Sequence, residues 1–123
     1  MDKGWRLERN LGRGEYCYLI GANNWAIELQ ENEFKSLYEV SNKLIREFRE
    51  ITNQLMEEEI VNIEIEMLSW YAELEGTKNQ WSMKFVYESN ECTRSFEMYW
   101  PIQIAETLFF EIRKMWESMY SKN

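Results

Sequence analysis

The chain has 123 residues, with six tryptophans, two cysteines, one proline and no histidine, and its 14 basic and 22 acidic side chains leave a net charge of −8. That length fits one domain able to close a core without disulfides or metals. The missing imidazole removes the side chain that titrates unperturbed near neutrality, and with it the usual serine and cysteine triads and the ordinary zinc and haem ligand sets, while the negative charge disfavours polyanions.

Trp5 and Leu7, then Tyr16-Cys17-Tyr18-Leu19-Ile20, read as two strands separated by Gly12 and Gly14. Gly21-Ala22-Asn23-Asn24 offers residues that tolerate positive φ. Trp25, Ile27 and Leu29 alternate with Asn24, Ala26 and Glu28, which predicts a hairpin returning along the second strand with Trp25 toward the core. From residue 31 to about 56 the period changes to three and four, and Phe34, Leu37, Tyr38, Leu44, Ile45, Phe48, Ile51, Leu55 and Met56 form the stripe of a long amphipathic helix. Its other face carries Lys35, Glu39, Lys43, Arg46, Glu47 and Glu50, with Glu39 and Lys43 in the favourable i, i+4 order. The run Glu57-Glu58-Glu59 lacks calcium-loop spacing and reads as a solvated helix end.

Val61, Ile63 and Ile65 alternate with Asn62, Glu64 and Glu66, and Leu68, Trp70, Ala72 and Leu74 continue on the opposite parity. A single long strand can absorb that slip only through an extra residue, so a bulge or bend is predicted at residues 67–69. Gly76-Thr77-Lys78-Asn79 turns the chain into an alternating strand of Trp81, Met83, Phe85 and Tyr87. Ser89-Asn90-Glu91 turns it again into Phe96, Met98 and Trp100, which completes a three-stranded meander. Pro101 suits the first position of a C-terminal helix whose stripe runs through Ile102, Ala105, Leu108, Phe109, Ile112, Trp116 and Met119, widened by Phe110, Met115 and Tyr120.

Gly12-Arg13-Gly14 is no phosphate loop, because it leads into a strand and not a helix. Glu57, Glu58, Glu59, Glu64, Glu66, Glu73 and Glu75 give residues 56–75 a charge of −7 with no lysine or arginine. Glu64, Glu66, Glu73 and Glu75 are the only grouping able to supply paired carboxylates, and they read as a charged sheet face suited to a basic partner, with no catalytic role expected. Residues 1–20 are the exception to the acidity, with Lys3, Arg6, Arg9 and Arg13 against Asp2, Glu8 and Glu15. Arg6, Arg9 and Arg13 are therefore the candidate nucleic-acid contacts, and Trp5, Tyr16, Tyr18, Trp25 and Tyr71 could stack bases beside them, although core packing accounts for most of these rings. The surplus of Phe109, Phe110, Met115, Trp116, Met119 and Tyr120 predicts a homodimer contact.

Cys17 and Cys92 stand in no metal or redox spacing and are expected to be reduced. The opening Met1-Asp2-Lys3-Gly4-Trp5-Arg6 lacks the apolar run of a secretory signal, and no window is long enough to span a bilayer. The expectation is a cytoplasmic protein with no membrane association, no cofactor, no metal and no enzymatic activity.

Gly4-Trp5-Arg6, Tyr18-Leu19-Ile20-Gly21, Trp25-Ala26-Ile27-Glu28-Leu29, Glu33-Phe34, Leu55-Met56-Glu57-Glu58-Glu59, Trp70, Glu73-Leu74-Glu75-Gly76, Glu97 and Trp100-Pro101 together resemble the domain of unknown function 1818 family of cyanobacteria and plastids. Gln30 departs from the Ser or Thr capping box with Glu33 that the resemblance implies, which weakens the expected helix start. The resemblance implies an α+β fold similar to the Whirly proteins and transcriptional positive cofactors: a curved antiparallel sheet with a long inserted helix, a C-terminal helix and paired chains. Single-stranded DNA binding at the level of that superfamily is the alternative to a non-catalytic, protein-binding or regulatory module, and the acidic segment at residues 64–75 opposes it.

Overall fold

The alternating aromatic runs and the two amphipathic stripes become seven strands and two long helices in a computed structural model, which describes residues 4–120. Asp2 and Lys3, part of the N-terminal charge balance, lie outside the described residues. Strands β1 (Trp5–Arg9), β2 (Tyr18–Ala22) and β3 (Trp25–Leu29) form one antiparallel sheet. Helix α1 (Glu31–Thr52) then carries the chain about 33 Å at ~1.5 Å per residue. A second antiparallel sheet follows, β4 (Val61–Met67), β5 (Trp70–Gly76), β6 (Trp81–Glu88) and β7 (Ser95–Trp100), and α2 (Ile102–Tyr120) closes the fold. The class is α+β, with the strands divided between two sheets.

Both helices bury their apolar stripes between the sheets. In β6 every second residue, Trp81, Met83, Phe85 and Tyr87, is buried, as are Trp70, Ala72 and Leu74 in β5, and these rows floor the core beneath Leu37, Leu44 and Phe48 of α1 and Leu108, Phe109 and Ile112 of α2. The Trp70 indole N–H donates to Ser36 Oγ at 2.7 Å, so the ring enters the core with its donor satisfied. On the other side Tyr18 of β2 stacks on Phe34 of α1, with ring centroids 4.0 Å apart.

Several local expectations change. The parity slip at residues 67–69 is a two-residue hairpin and not a bulge: Met67 pairs with Trp70, and Leu68 at the turn adopts φ +57°. A reversal of direction restores inward alternation as well as an extra residue would, and it makes the meander four-stranded. The turn after β2 is also two residues, Asn23 and Asn24, yet neither has positive φ. Gly21 is required instead by close approach, since a Cβ there would lie 2.7 Å from the Trp25 carbonyl oxygen.

Helix α1 ends at Thr52, so Leu55 and Met56 fall beyond it, and Glu57, Glu58 and Glu59 occupy the connection to β4, not a helix end. Lys43 pairs with Glu47 at 2.7 Å, one turn on from the predicted Glu39. The α1 start is held from inside the helix, where Glu33 Oε1 accepts the Gln30 N–H at 2.9 Å. Pro101 sits one residue before α2, and its carbonyl accepts from the Ile104 and Ala105 N–H groups at 3.0 and 2.9 Å.

Candidate partner-binding face

Residues paired across antiparallel strands share a face, so the register of the four-stranded sheet fixes what its outer surface carries. One row runs Glu64, Glu73, Lys84, Tyr99, the next Glu66, Tyr71, Val86, Glu97, and a third Asn62, Glu75, Ser82. Glu88 joins them opposite Ser95. All four candidate acids are brought together, and Glu88 and Glu97 extend the set to six carboxylates around a single amine, Lys84. Sequence reasoning missed these two, although Glu97 at alternate spacing from Tyr99 carried the signal.

Glu64 and Glu73 stand directly opposite each other, a like-charge pairing that costs stability. Asn62 Nδ2 donates to Glu73 Oε2 at 2.7 Å and relieves part of it. Burial, and then the Glu73 and Glu64 carboxylates, hold the neighbouring Tyr71 phenol above its ordinary value. The face is open and apolar only at Tyr71, Val86 and Tyr99.

The three candidate arginines are not assembled into a surface. Arg6 and Arg13 both engage Glu8, at 3.8 and 2.8 Å, and Arg13 also reaches Glu28 at 3.9 Å. Glu8 and Glu28 flank buried Leu19 in the register, so Arg13 bridges carboxylates on either side of it on the outer side of the small sheet. Arg9 belongs to the opposite face, where its Nε donates to the Tyr18 hydroxyl at 3.3 Å. Local ion pairing thus takes up cations that the sequence presents as a group. The proposed stacking rings separate as well: Tyr18 is fully buried, Trp5 and Trp25 pack half-buried against the core, and Tyr71 belongs to the other sheet.

The candidate dimer stripe on α2 is mostly internal. Phe109 and Trp116 are buried in the core, Met115 and Met119 pack against it, and the Tyr18 hydroxyl donates to Met119 Sδ at 3.6 Å. Only Phe110 and Tyr120 remain exposed, and Tyr120 stacks on Trp116 at 4.1 Å while its hydroxyl donates to Glu31. Two sheets and α1 surround α2, and this is why one short sheet underestimates the area available to cover it.

Arg94 is a second residue the sequence reading passes over. Its Nε donates to Glu33 Oε2 at 2.6 Å, another guanidinium nitrogen donates to the Glu28 carbonyl, and its Cζ lies 5.0 Å from the Tyr16 ring centroid and 5.2 Å from that of Phe96. Glu33 is only 3% exposed, so this pair joins the start of β7 to α1 and β3 through a desolvated carboxylate. Its one sequence signal is that Arg94 is the sole cation between Lys84 and Arg113.

Among the described residues no helix is long and apolar enough to cross a membrane, and no group of three or more Cys, Asp or Glu side chains is placed to hold a metal ion. The fold and this face define an α+β protein whose most distinctive surface is an acidic sheet. The family model for the domain of unknown function 1818 matches residues 1–115, and the chain belongs to that family. It is similar, with 32% identity and a TM-score of 0.84 over 94% of this chain and 96% of the other, to a crystal structure of a protein of unknown function from the DUF155 family of Prochlorococcus sp. NATL2A. No curated protein matches the chain.

Proposed function

We propose that this protein is a non-catalytic binding or regulatory module that docks a basic protein segment on the outer face of β4 to β7. The carrying observation is the alignment of Glu64, Glu66, Glu73, Glu75, Glu88 and Glu97 around Lys84 alone. Repulsion among these carboxylates is relieved when a partner supplies cations, and charge complementarity of this kind raises the association rate and selects the partner. Tyr71, Val86 and Tyr99 supply the less polar centre that docking faces favour. The absence of histidine, and the placement of the carboxylates on an open sheet, support binding over catalysis. Two free cysteines, with Cys92 exposed, fit a reducing cytoplasmic setting.

Single-stranded nucleic acid is the alternative, carried by the family resemblance and opposed by the ion pairing of Arg6 and Arg13. Fluorescence anisotropy with a labelled oligolysine peptide and a labelled DNA strand at about 0.15 M salt separates the two, because screening beyond ~8 Å leaves only close contacts. The peptide is expected to bind, to weaken as salt rises and to lose its affinity when Glu64, Glu66, Glu73 and Glu75 are changed together to Gln. The strand is expected to bind no tighter than about 1 mM. Micromolar binding of the strand, with a salt slope that shrinks in Arg6→Ala, Arg9→Ala or Arg13→Ala, would overturn this order.

A further inference from the structure

A cleft of about 720 Å³ opens between the β2–β3 turn and the junction of β7 with α2, within the ~300–1,000 Å³ range of small-molecule sites. None of the nine described residues lining it is charged, in a chain where charged residues make up 29%. The clefts beside Arg94, beside Arg49 and below Glu106 each include at least one charged side chain. Trp25 and Tyr99 line the uncharged cleft from different elements, with Tyr99 54% exposed, and Ile104 and Pro101 complete its apolar part. Asn23, Asn24 and Gln103 are exposed there and make no side-chain hydrogen bond to another described residue.

We propose that this cleft binds a neutral, hydroxyl-rich ligand of the mono- or disaccharide class. Aromatic faces accept the C–H faces of a sugar ring, and side-chain amides, each with two donors and an acceptor, match hydroxyls that both donate and accept. A phosphorylated or carboxylated ligand meets no cation among the described lining residues and approaches a protein of net charge −8, while a cationic ligand finds no carboxylate among them. A purely apolar ligand would desolvate three amides without giving them partners. The cleft shares Tyr99 with the outer face of β4 to β7, at the end of the row farthest from Glu64, and none of the six carboxylates of that face lines it.

Isothermal titration of the full chain with maltose, sucrose and trehalose tests the assignment, with adenosine as a flat aromatic comparator and glucose 6-phosphate as a charged one. At least one neutral sugar is expected to saturate with a Kd of about 1 mM, and glucose 6-phosphate is expected not to bind. Tyr99→Ala and Asn24→Ala, both at exposed positions, are each expected to weaken the sugar at least about tenfold with an unchanged melting temperature. The proposal is overturned if no sugar saturates, if adenosine binds more tightly than every sugar, if glucose 6-phosphate binds as well as the neutral sugars, or if both variants keep the parent affinity.

Discussion

Arg94 illustrates how one side chain can hold distant parts of a fold together: it neutralises Glu33, reaches the Glu28 carbonyl and is flanked by Tyr16 and Phe96. Removing one partner of a fully buried pair costs about 3–5 kcal/mol; Arg94 is 29% exposed, so Arg94→Ala should cost about 2 kcal/mol by urea denaturation. Arg94→Lys should recover part of the loss by restoring charge without the planar fork. Tyr120 gives a pH-dependent contribution of different origin. Its hydrogen bond to Glu31 pushes the phenol up to about 12 from the ordinary value of 10. A raised native pKa stabilises the fold fully below the unfolded value and is lost as pH climbs through the native one. The melting-temperature advantage of the parent over Tyr120→Phe should therefore be constant below pH ~10 and shrink between about 10 and 12.

Among the elements, the β4–β5 hairpin is the one whose turn chemistry fits least well. Leu68 holds φ +57° while 82% exposed, so a branched side chain bears the left-handed backbone and gains little packing in return. Leu68→Asn should raise stability by about 1 kcal/mol, at the lower end of the left-handed cost, with the acidic face undisturbed. Thermal unfolding reads the result, and a lowered melting temperature would mean that Leu68 packs in solution. The same hairpin shows how much of an element is legible locally. Alternation in residues 61–74 reveals two phases and places each set of acids on one face, but a bulge and a reversal satisfy it equally. Only the pairing of Met67 with Trp70 and Ile65 with Ala72 distinguishes them. The extent of α1 was legible to within a turn, because the period of three to four persists as far as Ile51.

For the molecule as a whole, the central question is what covers α2. Residues from β1, β6, β7 and α1 all meet it, so a stripe too wide for one sheet is accommodated inside one chain. With Phe110 and Tyr120 alone exposed from the six candidate contacts, light scattering at high micromolar concentration should give the mass of one chain. Twice that mass, lost on Phe110→Ser, would restore pairing through α2. Exposed Leu11, Met56 and Ile60 lie outside α2, and Ile102 is its first residue, two turns before Phe110. Single exposed apolar residues of this kind need no partner.

The sequence by itself determined the α+β class, the two helices and the acidity of one sheet face, because periods of two and of three to four are local properties that burial imposes on neighbouring residues. It likewise reduced the chemistry open to the protein by omitting histidine. Tertiary structure decided which charges are available. Arg13 and Arg94 are equally basic as letters, yet one bridges Glu8 and Glu28, and the other meets a buried carboxylate 61 positions away. Pairing across such separations leaves no periodic trace, since it depends on where the sheets place their edges after the core has closed, and so Arg6, Arg9 and Arg13 are not gathered into one patch among the described residues while the acids of the larger sheet share a face.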